Sequence, residues 1–187
     1  MITKLENGRI YDPINKINGK IKDLFIKNGK IIDRPKRNEK ISKIINFKKK
    51  IIMAGGIDIH SHIAGGKVNL ARLLLPEEHR KYLHSSSNIL RSGSGLGTCS
   101  SFHIGYKYAK LGYTAVFEPA VLPSNSRSAI IEMSDIPLID KGTYTVLGND
   151  DFLLKLIQKK SNQKKINDYV AWIIQSTKSL GIKIVNP

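Results

Sequence analysis

The sequence predicts an α/β protein. A small N-terminal β domain over residues 1–52 is followed, over 53–187, by a partial (β/α)8 barrel comprising about its first four strands. Three observations carry this expectation. From residue 102 onward, apolar strand-like runs alternate with helical segments, the pattern of a parallel sheet or barrel. The first fifty residues instead read as short strands separated by Asn-Gly pairs, a signal for tight reversals. Between the two lies Met53 to Gly66, rich in small residues and carrying His60 and His62 one residue apart.

The elements follow in order. Asn7-Gly8, Asn18-Gly19 and Asn28-Gly29 are each expected to reverse the chain, because both residue types tolerate positive φ. Strands are expected at Lys22–Lys27, Lys30–Asp33 and Lys43–Phe47, forming a small antiparallel unit too thin to be stable alone. The His60 segment reads as a short buried strand. Gly65 to Ser101 reads as a long loop with a Gly/Ser-rich part, Ser92 to Thr98, and a short helix after Pro76. Helices are expected at Phe102–Leu111, Ser126–Met133, Asp150–Ile157 and Lys165–Leu180, the last ended by Gly181. Strands are expected at Tyr113–Glu118, Thr143–Leu147 and Ile182–Asn186. No helix follows the last strand, so the polypeptide reads as cut short, with one face of an apolar edge strand left bare.

Composition narrows the function classes. No apolar run approaches the length of a membrane span, and the N-terminus lacks the apolar core of a secretion signal. One cysteine, Cys99, excludes an internal disulfide and fits a reducing cytoplasm. Lys and Arg number 31 against 15 Asp and Glu, a net charge of +16, which raises the question of nucleic acid. The excess is concentrated in runs such as Lys48-Lys49-Lys50 and Lys159-Lys160 with Lys164-Lys165. These read as solvated surface, and no nucleic-acid motif accompanies them.

The chemistry-bearing residues begin with His60 and His62. In extended chain, i and i+2 side chains share a face, so both imidazoles can aim at one point beyond the strand. Two such ligands are half of a typical catalytic metal site. Asp58 shares that face one layer deeper, where it can orient a ligand or pair with a buried cation. Lys183 interrupts an apolar strand. It is either a lysine reaching from the strand edge to water or a buried amine able to capture carbon dioxide as a metal-bridging carbamate. Glu118, at a strand end, is either a hydrogen-bond partner for a ligating histidine or a plain structural carboxylate. His103, His79 and His84 lie in or beside the long loop and favour surface roles, with His103 a candidate for a pocket mouth. Lys67 and Arg72 are candidates for an anionic substrate, although solvated loop charges are the preferred expectation for both.

Gly55-Gly56-Ile57-Asp58-Ile59-His60-Ser61-His62 resembles the opening metal motif of the amidohydrolase superfamily. The longer run through Asn69, the segment Pro76 to His79, Gly105 to Thr114, Gly181 to Pro187 and Asn7 to Pro13 are similar to the formylmethanofuran dehydrogenases, over the N-terminal part of their amidohydrolase-type subunit. This resemblance implies a β-sandwich-like flank on a barrel with two zinc ions. His60 and His62 would bind one metal, and a carboxylated Lys183 would bridge both. It also implies condensation of formate with methanofuran to give formylmethanofuran, the first step of methane formation from carbon dioxide. Partners would be the other subunits, including one with a molybdenum or tungsten pterin, in the cytoplasm. The family's later strands carry further histidines and an acid/base aspartate. This sequence lacks them, so no catalytic acid or base is assigned and the chain is expected to be inactive alone. Two alternatives are another amidohydrolase acting on cyclic amides or N-acyl groups, and a basic nucleic-acid-binding module, which is disfavoured.

Overall fold

The structure is a computed structural model describing residues 1–75 and 101–185. The chain divides into two compact units, Met1–Ala54 and Gly55–Pro187. The expected helix after Pro76, the Gly/Ser-rich part, His79, His84 and Cys99 lie outside the described residues.

The first unit is a five-stranded sheet of β1 (Ile2–Asp12), β2 (Ile17–Lys27), β3 (Lys30–Ile32), β4 (Lys43–Asn46) and β5 (Ile51–Met53). β1, β2 and β3 pair antiparallel as expected. β4 and β5 instead run parallel to β1, beside Thr3–Glu6 and Arg9–Tyr11 respectively, which corrects the fully antiparallel expectation. Of the three Asn-Gly pairs, only Asn28-Gly29 makes a two-residue reversal, with φ of 50° and 76° and Lys27 opposite Lys30. Asn7, at φ 62°, sits at a register shift between Leu5 and Gly8 inside β1, and Gly19, at φ 71°, lies inside β2. Tolerance of positive φ serves an irregularity within the ladder at Asn7 rather than a turn. The β1–β2 reversal falls at Pro13–Lys16, where the Lys16 N–H donates to the Pro13 carbonyl at 3.1 Å.

The second unit is mixed α/β. Its sheet holds β6 (Gly56–Asp58), β7 (Tyr113–Val121), β8 (Asp140–Val146) and β9 (Gly181–Lys183), side by side in chain order and all parallel. Five helices accompany it among the described residues: α1 (Gly66–Leu73), α2 (Ser101–Lys110), α3 (Ser126–Met133), α4 (Asp151–Gln158) and α5 (Gln163–Thr177). α1 occupies what the sequence presented as loop. α5 ends at Lys178 in a left-handed conformation (φ 56°), so Gly181 opens β9 rather than closing the helix.

Two clusters form the core of this unit. Ile63, Ala64, Val116, Met133, Ile136 and Ile139 make one; Leu147, Leu153 and Ile173 make the other, with Ile182 of β9 packed on it. α2 seats closely because Gly105 has no side chain: a Cβ there would lie 2.1 Å from the Pro137 carbonyl oxygen. Asp150 caps α4, accepting the Leu153 N–H at 2.7 Å, and its carboxylate also accepts the Tyr169 hydroxyl at 3.0 Å, tying α4 to α5.

Candidate metal centre

The chain leaves the β6 ladder earlier than the histidine spacing implies. β6 stops at Asp58, and the backbone bends at Ile59 and His60. Asp58 causes the bend: its carboxylate accepts the His60 N–H at 3.0 Å and the Ser61 hydroxyl at 3.1 Å, an Asx-type turn. The expectation of a buried strand is corrected too, since Ile57 on this edge strand is 64% exposed. Asp58 therefore shapes the turn and also accepts from the Tyr108 hydroxyl. The Ser61 N–H then returns to β7, donating to the Phe117 carbonyl at 2.9 Å. Through this turn, rather than through strand alternation, the two imidazoles come together, with centroids 5.3 Å apart and planes nearly perpendicular.

Glu118 holds the second imidazole. It is 1% exposed, and its Oε1 lies 3.0 Å from His62 Nδ1. Its Oε2 accepts the Ile63 N–H at 2.7 Å and the Ala64 N–H at 3.2 Å, while Oε1 also accepts the Ala120 N–H at 3.2 Å. A buried carboxylate is tolerated only when so many donors replace its lost water. In the neutral tautomer that donates its Nδ1–H to Glu118, His62 Nε2 has its lone pair free, the arrangement that prepares a histidine for a metal.

Lys183 reaches this group from β9. Its Nζ lies 3.5 Å from His60 Nδ1. Ile182 packs toward the helices, so by strand alternation Lys183 projects from the opposite face. Among the described residues no third His, Cys, Asp or Glu joins the two histidines in a cluster able to hold a metal. The donor set among the described residues is thus two imidazoles and one lysine amine. Imidazole nitrogen suits zinc, and carboxylation of the amine would convert a cation beside the imidazoles into an oxygen ligand of opposite charge.

A cavity of about 520 Å³ adjoins His62 and Glu118. Val68, Ala71, Val121 and Leu122 give it apolar walls. Lys67, exposed on α1, lies among its lining residues. His103 sits on α2, edge-on to Phe102 at 6.4 Å, and is not among the lining residues. Arg72 corrects the expectation of a solvated loop charge. Its side chain is only 11% exposed and its Nη1 lies 2.7 Å from Glu132 Oε1. Glu132, which sequence reasoning passed over, is buried on α3. Its signal was present: Ser126, Ala129, Glu132 and Met133 fall at helical spacing on one buried face.

The chain matches the amidohydrolase family model over residues 43–187. It is 38% identical to protein FwdA of Methanocaldococcus jannaschii over 183 residues, covering 98% of this chain and 31% of the relative. It is 35% identical to the FhcA component of the formyltransferase/hydrolase complex of Methylorubrum extorquens, covering 100% of this chain and 33% of the relative. The crystal structure of that FhcABCD complex with methylofuran superposes with a TM-score of 0.84 over the whole chain. The chain thus spans about a third of the length of these relatives. No helix among the described residues is long and apolar enough to cross a membrane.

Proposed function

The chain belongs to the amidohydrolase family, and from that premise we propose that it carries the opening half of a metal site in a formyl-transferring protein. The observation that carries this proposal is the approach of Lys183 to His60. β6 and β9 are the outer strands of a four-stranded sheet. At about 4.8 Å per strand, a flat sheet would separate them by roughly 14 Å. His60 lies two residues past β6. The 3.5 Å contact of its ring with the end of the Lys183 side chain on β9 supports a sheet whose outer strands turn toward a common point, as the first four strands of a (β/α)8 barrel do. On this account residues 1–52 form a small β domain and 53–187 the opening half of the barrel.

In this arrangement His60 and His62 would hold a first zinc, and Lys183 as its carbamate would bridge to a second. Metal bound there supplies Lewis acidity toward a formyl carbonyl. Glu118 fixes the ring of His62. The adjoining cavity receives the body of the amine substrate, and Lys67 offers a positive charge beside it. The substrates proposed are formate and the primary amine of a methanofuran-type carrier. The partners proposed are further subunits of a formyltransferase/hydrolase or dehydrogenase complex, including a molybdenum or tungsten pterin subunit where the formate is made from carbon dioxide. Among the described residues, two imidazoles and one carbamate are fewer ligands than a two-metal site takes, and on that count we expect weak zinc binding and no turnover.

The test is direct. Protein equilibrated with zinc and 13C-labelled bicarbonate should show a protein-bound carbamate resonance that disappears in Lys183→Ala. Zinc retention should fall in His60→Ala and His62→Ala. Retention of zinc by both histidine variants would overturn the assignment.

A further inference from the structure

Three consecutive backbone N–H groups follow His62, and each ends on a buried carboxylate. Ile63 and Ala64 donate to Glu118. Gly65 donates to Glu132 Oε2 at 2.8 Å. The Ile63 carbonyl is taken as well, by Arg72 Nη2. Glu132 lies on α3, 67 residues from Gly65, whereas Arg72 lies on α1, the helix that begins directly after the loop. Glu132 completes its shell with Asn69 Nδ2 at 2.9 Å and the Ser101 hydroxyl at 3.0 Å. Arg72 Nη1 is shared between Glu132 and Asn69 Oδ1.

We propose that Arg72 and Glu132 are positioning residues for His62. A salt bridge that served only to join α1 to α3 would leave the loop to itself. This one also engages the loop backbone, at the carbonyl of residue 63 and the N–H of residue 65. Glu118 holds the intervening N–H groups and the imidazole together. The result is a loop whose N–H groups from residue 63 to 65, together with the Ile63 carbonyl, are all engaged, which restricts the ring attached at residue 62. Gly65 belongs to the same device. Its φ of 94° lets its N–H point at Glu132, and another residue there would be strained. Arg72 is suited to the task because its planar fork reaches two acceptors at fixed angles, which a lysine cannot do. The proposal rests on the metal-site assignment of His62 and adds the two residues that would set the ring's orientation.

The experiment uses the full chain, metal-free and labelled with 15N, at a fixed pH where the imidazoles are neutral. The ring nitrogen shifts of His62 report its tautomer. In the unaltered chain they should show the proton held at Nδ1. Arg72→Lys keeps a cation for Glu132 but loses the fork, and Glu132→Gln keeps the shape but loses the charge. Both should move His62 toward a mixed tautomer and weaken Co2+ binding about 10- to 100-fold, the usual effect of removing an outer partner of a ligand. Tyr169→Phe, which lies with the separate Leu147 cluster and touches neither Glu132 nor the loop, should leave both readouts unchanged. If Glu132→Gln does not fold, Arg72→Lys decides. Unchanged His62 shifts in Arg72→Lys, alongside a lowered melting temperature, would show a strut and nothing more. Absence of Co2+ binding by the unaltered chain, with the tautomer shift present in the variants, would remove the metal assignment and leave the positioning role standing.

Discussion

The two sides of the His60–Lys183 contact are built differently. On the histidine side, Asp58, Glu118, Glu132 and Arg72 take the backbone and ring groups between residues 60 and 65. On the lysine side, β9 is three residues long, Ile184 and Val185 are exposed, and the amine meets His60 Nδ1 at 3.5 Å. The first half is fixed before any ligand arrives, whereas the second is one long side chain on a short strand. Preorganisation is thus concentrated where the two proposed ligands converge, and the side that is proposed to react with carbon dioxide remains accessible to it.

Removing Glu118 should break the comparison most severely. Glu118→Ala leaves two buried N–H groups, the half-buried Ala120 N–H and His62 without their acceptor, a loss of about 3–5 kcal/mol, read by urea denaturation. A loss under about 1 kcal/mol would mean the loop holds itself. Next comes Gly148→Ala. A Cβ at this position would lie 2.9 Å from both the N and the O of Val185, so the segment after β9 must shift, at about 1–3 kcal/mol. The same variant should weaken any bicarbonate-dependent metal binding while leaving the His62 ring shifts in place. Lys183→Ala should change stability by no more than about 0.5 kcal/mol, because the amine makes one long contact, yet it should abolish the carbamate signal.

The smallest effect concerns pH. Burial, and then the hydrogen bond to Asp150, raise the Tyr169 hydroxyl above the ordinary tyrosine value of 10.0. The folded state therefore holds this proton more tightly than the unfolded chain does. The stabilisation is complete below 10.0 and is lost as pH rises through the higher folded value. Tyr169→Phe should flatten that alkaline limb in melting curves taken across this range. It should leave the histidine side untouched, because Tyr169 packs with the Leu147 cluster.

Much of the second unit was legible because local signals agreed with tertiary demands. Ser126–Met133 has the expected bounds, and Asp150 caps its helix as its position implied. The Asn-Gly pairs show where local chemistry is ambiguous. Positive φ is available at all three, but only Asn28-Gly29 is placed between runs that pair with each other. The parallel seating of β4 and β5 on β1 is a choice among partners far apart in sequence, which alternation of side chains does not encode. At the site, His60, His62, Lys183 and Glu118 were legible as chemistry-bearing residues in a pattern. The pairing of Arg72 with Glu132 was not, because 60 residues separate them and the position of neither names the other as its partner. Their buried pairing exists only once α1 and α3 are packed.

The most direct test of the account is a Co2+ titration of the chain with and without bicarbonate. Binding should occur in both conditions, tighten with bicarbonate, lose that tightening in Lys183→Ala and disappear in His62→Ala. Binding that ignores bicarbonate and survives the loss of His62 would contradict the claim that these strand ends form one metal site.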